Sequence, residues 1–382
     1  MQVERLKAGD CKELTAFLDR VFSAHNGYPM DFAGIFPRIF VETDEAMHWY
    51  YAIKDNGRIV GTAASHPMYY RVGEETLKVS AGGNVAVAEE YRNRGLMQEL
   101  LNKINEDLRE EEFDFAFLHG DRKRYRTFGF ERCGKEYTVT FSRSMLKQAG
   151  ITGGDSFFDL RQEPQAVLAQ VMDIANAQIS GFERKEEDLI PALLAHKREP
   201  LVIRRDGNVI GYVSLGCKEQ YVAELGLKDP ADFPHVLMSI MDHAQIDTFA
   251  IRMPEYDWPY VSQAVALCSR YQVIQPGNFQ ILRFDRVVLA FLKAKAQYAA
   301  LLDGTLTVQS ELFGSWTISV EKGAVSVLPG NTEPDVILPG YTVYPFLFGP
   351  NDPFLAGVTV PAHKAALVGN WFPLPAYCPN LS

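Results

Sequence analysis

Asn84-Val85-Ala86-Val87-Ala88-Glu89-Glu90-Tyr91-Arg92-Asn93-Arg94-Gly95-Leu96-Met97 is the stretch on which the reading of this 382-residue chain turns. The apolar run Val85, Ala86, Val87 reads as a short strand, and Arg92 to Gly95 as a basic turn. From Leu96 the apolar positions Leu100, Leu101, Ile104 and Leu108 follow helical spacing. A strand, a turn and a helix N-terminus in one unit aim successive backbone N–H groups and the positive end of a helix dipole at one point, which suits a pyrophosphate. Arg92, Asn93, Arg94, Gly95, Leu96 and Met97 are therefore the candidate anion-binding positions. The same Arg-x-x-Gly pattern also arises by chance at solvated helix starts, so the elements around it carry weight.

Downstream, Phe113, Phe115, Phe117 and Leu118 read as the next strand, and Asp121, Tyr125 and Phe128-Gly129-Phe130 follow it. Upstream, a strand over 3–6 leads to a helix with Asp10 and Glu13 at capping-box spacing and Leu14, Phe17, Leu18 and Val21 as its buried stripe. Asn56-Gly57 between two strand-like runs is a hairpin signal. Further strands are expected over 76–79 and at Val85. The region closes near Leu146, before a linker over 150–155. One domain later the hairpin is echoed around Asp206-Gly207, followed by a strand over 221–227 and a helix at Asp229-Pro230. That second turn has no Arg-x-x-Gly, and Asp229 repels a phosphate. From about Asp285 a helical run gives way to short strands over 305–308, 316–320 and 324–328, then to a helix over 341–348 that ends at Gly349-Pro350.

Length alone predicts two or three domains. Hydrophobic residues make up 47% and charged residues 23%, as in a folded globular protein, and the formal net charge of -10 disfavours nucleic acid while allowing a cationic small molecule. Five widely separated cysteines and eight histidines without ligand spacing argue against a disulfide scaffold or a zinc site. With no signal-like N-terminus and no apolar run long enough to span a bilayer, the expected setting is the cytoplasm, with no membrane partner.

The order strand, Arg92-Asn93-Arg94-Gly95 turn, helix, strand and Tyr125 resembles the GNAT acetyltransferase superfamily. Gly314-Ser315-Trp316-Thr317-Ile318 and Phe346-Leu347-Phe348-Gly349 resemble the sterol-carrier-protein-2 fold. Together these units resemble the enhanced-intracellular-survival (Eis-type) N-acetyltransferases, with Tyr125-Arg126-Thr127-Phe128-Gly129-Phe130 as a further specific element. The expected fold is α/β (α+β): tandem GNAT folds with mixed central sheets, at 1–148 (catalytic) and 149–284 (degenerate), plus a C-terminal sterol-carrier-like α+β domain at 285–382 whose tail enters the active site. The resemblance implies acetyl-coenzyme A as co-substrate, with Val85, Ala86 and Val87 along the pantetheine arm. It places Gly120 and Asp121 among the cofactor contacts, and it implies acetylation of aminoglycosides or other polyamines by a homo-oligomer, often a hexamer.

Acetyl transfer to an amine needs a base for the ammonium proton, donors for the developing oxyanion and an acid for the departing thiolate. No metal is required. Tyr125, whose phenol has an ordinary pKa of about 10, is the candidate acid. Backbone N–H groups at Val85 are the candidate oxyanion donors. The resemblance makes the chain's terminal carboxylate, on Ser382, the candidate base, although the family ends in acidic and aromatic residues and this chain ends Cys378-Pro379-Asn380-Leu381-Ser382. Asp121 can bind a substrate ammonium or cap the next helix, and Phe128 and Phe130 read as core. Two other classes stay open: a lipid- or partner-binding protein with a non-catalytic first domain, and an acetyltransferase for a protein lysine or N-terminus.

Overall fold

The computed structural model describes residues 2–216, 218 and 220–377, which form three β-sheets with helices on and between them. The strands in chain order are β1 (Val3–Arg5), β2 (Tyr50–Asp55), β3 (Arg58–Val72), β4 (Glu75–Val87), β5 (Phe115–Leu118), β6 (Glu131–Cys133), β7 (Glu136–Ser142), β8 (Ser156–Asp159) and β9 (Ser180–Phe182). Next come β10 (Glu199–Arg205), β11 (Asn208–Gly216), β12 (Tyr221–Leu227), β13 (Thr248–Pro254), β14 (Arg270–Ile274) and β15 (Gly277–Ile281). The last four are β16 (Gly304–Ser310), β17 (Gly314–Glu321), β18 (Ala324–Pro329) and β19 (Val336–Leu338).

The first two sheets share one plan. Each is an antiparallel meander followed by a parallel neighbour reached through a helix: β1-β2-β3-β4-β5 with the helix Leu96–Glu110, and β10-β11-β12-β13 with the helix Phe233–Ala244. These are the mixed sheets expected from the sequence. Asn56 and Gly57 sit at φ 48° and 77°, and Asp206 and Gly207 at φ 50° and 80°, so both hairpins close on the residue types that tolerate left-handed backbone. Two strands expected over 76–79 and at Val85 are one strand, β4. Thr62 pairs with Ala86 and Ala64 with Gly83, so Asn84 and Val85 bulge opposite Ala63, with Asn84 at φ 52°. The capping box expected at Asp10 and Glu13 is absent. Asp10 accepts from the Lys7 N–H and Lys54 Nζ, and Glu13 from the Ile59 N–H, so both carboxylates tie the helix to its neighbours instead.

The sheets exchange strands. β7 inserts between β13 and β14 of the second sheet, whereas β15, from the far side of the second unit, inserts between β5 and β6 of the first. Sequence boundaries at 148 and 284 therefore do not coincide with the limits of either sheet. On one face of the first sheet pack the helices Cys11–Asn26 and Leu96–Glu110. Its other face shares a continuous apolar core with the helix Phe284–Ala296 and the third sheet, β18-β17-β16-β19. No helix among the described residues is long and apolar enough to cross a membrane.

Candidate active site

The parallel β4–β5 pairing stops at Gly82 opposite Leu118, yet β4 runs on to Val87. Leu118 is the last residue of β5, so β4 presents the backbone of residues 83–87 without a β5 partner. A cleft of about 730 Å³ opens there. One wall is Val85, Ala86 and Val87; a second is Val21, Phe22 and His25 of the first helix; the end is Arg92, Asn93, Gly95, Leu96 and Met97. Eight of the eleven expected cofactor positions thus line one cleft.

At that end Asn93 and Gly95 adopt φ 61° and 82°, which turns the chain directly into the helix Leu96–Glu110. No side chain caps this 15-residue helix, so its first N–H groups stay available to an anion. Lys123, Arg124, Thr127 and Phe128 face it across the cleft. Three cations, Arg92, Lys123 and Arg124, therefore flank an uncapped helix start, and the aliphatic and aromatic walls between them suit a long neutral arm: the donor set fits a pyrophosphate-bearing thioester. Of the basic run Arg122-Lys123-Arg124, only Lys123 and Arg124 line the cleft, a role the fold reveals, while Arg122 pairs with Glu131.

Arg94 is not part of this lining. Its guanidinium donates to the Glu90 carbonyl at 2.8 Å and lies 4.9 Å from the centroid of the Tyr91 ring, bracing the turn from outside. Reversing charge at Arg92 should accordingly raise the acetyl-coenzyme A Kd about tenfold or more, equivalent to about 1.4 kcal/mol, while Arg94→Glu should change it less. Calorimetric titration of both variants checks the order, and equal losses would contradict the assignment.

Tyr125 lies on the helix Arg122–Arg126, 6% exposed, behind the wall formed by Arg124 and Phe128. Its ring edge fills the space beside Gly120, where an added Cβ would stand 2.6 Å away, and Gly120 (φ 141°) permits that approach. Burial raises the Tyr125 phenol pKa, with Arg124 opposing, so the hydroxyl keeps its proton at neutral pH. Gly120 and Asp121 do not line the cleft: Gly120 seats the Tyr125 ring, and Asp121 accepts from the Arg124 N–H at 2.9 Å as a helix cap. Phe130 is core as expected, whereas Phe128 is a cleft wall. Ser382 lies outside the described residues, but the tail before it, Ala376 and Tyr377, passes between the units, where the Tyr377 carbonyl accepts from the Tyr70 hydroxyl at 3.1 Å.

Asn278 on β15 went unnoticed in the sequence. Fully buried, it donates to the Gly120 carbonyl at 3.1 Å and so fixes the turn leaving β5. Nothing in its local pattern could reveal this, because its partner lies 158 positions away.

In the second sheet the parallel pairing is shorter still, since β12 and β13 pair only at Tyr221–Ala250 and Val222–Ile251. Here the space shrinks to about 80 Å³ and is partly filled by Phe182, Tyr256 and Tyr377. Asp229 caps its own turn by accepting from the Ala231 N–H, where the first unit leaves its helix start open. Asp257, on the rim of this remnant, has its carboxyl pushed up by burial to about 7. Because the raised value disfavours ionisation in the folded state, the cost to stability is absent below pH 4, grows as pH rises toward 7 and is full above it. Asp257→Asn should therefore add about 2 kcal/mol of stability at pH 8 and almost none at pH 4, as read from denaturant midpoints; a pH-independent change would refute the assignment.

Residues 2–133 match the family model described as Acetyltransferase (GNAT) domain, and this part of the chain is a GNAT acetyltransferase domain. Over its full length the chain is similar in fold to a GCN5-related N-acetyltransferase from Kribbella flavida (15% identity, TM-score 0.70, covering 97% of this chain and 95% of that one). It is also similar to Eis1 from Mycobacterium abscessus (15% identity, TM-score 0.66, 99% and 98%) and to a probable N-acyltransferase from Enterococcus faecalis V583 (14% identity, TM-score 0.69, 97% and 96%). A search of curated proteins gives no match.

Proposed function

We propose that the chain is an acetyl-coenzyme-A-dependent N-acetyltransferase in which an amine attacks the bound thioester directly. The observation that carries this reading is the end of the β4–β5 pairing at Gly82: from there the cleft runs along β4 backbone that has no β5 partner to an uncapped helix start flanked by Arg92, Lys123 and Arg124. When bound, acetyl-coenzyme A supplies an activated acetyl group. The chain's own residues hold its anionic end at Arg92 and the uncapped helix, offer the free backbone of β4 to the developing oxyanion, and keep a proton on Tyr125 for the departing thiolate.

The proton acceptor in this reading is the carboxylate of Ser382, a role carried by the Eis-type resemblance alone. A homo-oligomeric, Eis-type enzyme with a sterol-carrier-like third domain is the fuller form of the proposal. A thiol-release assay over aminoglycosides, polyamines, amino acids and peptides tests the reaction. Removing residues 379–382 should cut turnover at least tenfold with acetyl-coenzyme A binding retained. Unchanged turnover would remove Ser382 from the mechanism.

A further inference from the structure

The small cavity of the second unit shares no lining residue with the cofactor cleft. Its volume of about 80 Å³ has room for roughly five to eight water-sized groups, far too few for coenzyme A but enough for a small organic ligand. Five aromatic rings stand in its wall: Phe182, Phe233, Tyr256, Tyr260 and Tyr377. Tyr256 meets Tyr377 nearly at right angles, with 6.3 Å between ring centroids and 80° between planes. Phe233 meets Tyr260 in the same way, at 5.4 Å and 74°. Crossed pairs turn their π faces in more than one direction, an arrangement that can surround an organic ammonium ion, whereas a flat ligand calls for parallel faces.

Four charged residues line the same cavity: Arg184, Glu224, Arg252 and Asp257. Three of them are matched. Arg184 makes a bidentate pair with Glu224 at 2.7 Å, the Tyr212 hydroxyl donates to the same carboxylate at 2.6 Å, and Arg252 lies 3.2 Å from Glu136. Asp257 is the exception. It precedes the helix Trp258–Leu267 without capping it, and its carboxylate has no hydrogen bond or ion pair among the described residues. The residues outside that range include no lysine, arginine or histidine. Nor do the neighbouring phenols serve it: the Tyr256 and Tyr260 hydroxyls donate to the Ser180 and Leu227 carbonyls, each at 3.3 Å, so their O–H bonds are directed at the protein rather than at a ligand. A carboxylate withdrawn from water is costly unless it is paired, and here the pairing cation has to come from outside the chain.

We propose that this cavity binds a small organic ammonium ion, with its charge against the Asp257 carboxylate and its methyl groups against the crossed aromatic rings. The site is separate from acetyl transfer and does not rest on that reading. An ammonium whose nitrogen is fully substituted suits it best, because the wall offers aromatic faces and one carboxylate rather than a set of acceptors for several N–H groups.

Calorimetric titration at pH 8, where the Asp257 carboxyl is ionised although burial raises it to about 7, compares choline with dimethylbutanol, in which carbon replaces the charged nitrogen. Choline has no N–H to acetylate, so binding is read apart from turnover. The parent protein should bind choline with a Kd below about 10 mM, and about tenfold or more tightly than the uncharged isostere. Asp257→Asn, a substitution expected to stabilise the fold, should weaken choline about tenfold or more and leave the isostere unchanged. Tyr260→Leu should weaken choline as well, while Tyr260→Phe should not, which separates the ring face from the hydroxyl and from misfolding. The acetyl-coenzyme A Kd should be the same in all three variants. Equal affinity for choline and its isostere, or choline binding that survives Asp257→Asn, would overturn the proposal. So would competition between choline and acetyl-coenzyme A, which would place choline in the first cleft, or the absence of saturable choline binding.

Discussion

Tyr125→Phe should lower kcat by about 10²- to 10⁴-fold, the range for removing a positioned general acid, while the Kd of acetyl-coenzyme A stays within about twofold. The substitution removes one oxygen and keeps the ring that fills the space beside Gly120, so the turn after β5 retains its support. The ring's packing against Phe130, 6.4 Å between centroids, also survives. Loss of rate with binding intact would be the signature of a group acting on the departing thiolate, because an interaction made only in the transition state lowers kcat and kcat/KM alike. An unaltered kcat would strip Tyr125 of its role and leave it an ordinary core aromatic, a reading its position behind the cleft wall also allows. Thiol release and calorimetry on the same preparations separate the two.

The second large effect concerns stability. Phe291, on the helix Phe284–Ala296, is 2% exposed and meets Tyr70 and Phe115 of the first sheet and Phe348 of the third unit, with ring centroids 5.7–6.4 Å apart. Phe291→Ala should cost about 3–5 kcal/mol, since it removes a buried ring and leaves a cavity that neighbours held from two units cannot easily fill. Because one core serves both units, calorimetry should record a single transition shifted down by roughly 4–6 °C. A split into two transitions, only one of them moved, would show that the third unit melts alone.

How much of this was legible in the amino-acid sequence depended on how local the cause was. The Asn56-Gly57 and Asp206-Gly207 hairpins are set by the conformational preferences of two adjacent residues, and the cofactor turn by a few positions from Arg92 to Gly95, so each could be recognised in place. Within that turn the division of labour was not readable: Arg92 and Arg94 look equivalent until the φ values of Asn93 and Gly95 send one guanidinium into the cleft and the other back to Glu90. Phe128 packs against the same core as Phe130, and its second role as a cleft wall shows only in the fold. The capping box at Asp10 and Glu13 does not form because Asp10 turns back to the Lys7 N–H and to Lys54, while the Ile59 N–H of the neighbouring strand takes Glu13.

The exchange of β7 and β15 also bears on the order of events during synthesis. The fifth strand of the first sheet is reached by residue 118, but the sixth place in that sheet is taken by a segment that leaves the ribosome only after residue 276. Asn278, which holds the Gly120 turn beneath Tyr125, arrives with it. A fragment ending at 148 would carry the cleft residues yet leave a raw strand edge where β15 belongs, and the unpaired β7 would hang from it. The first two units are thus born as one translational package, and neither is a detachable part.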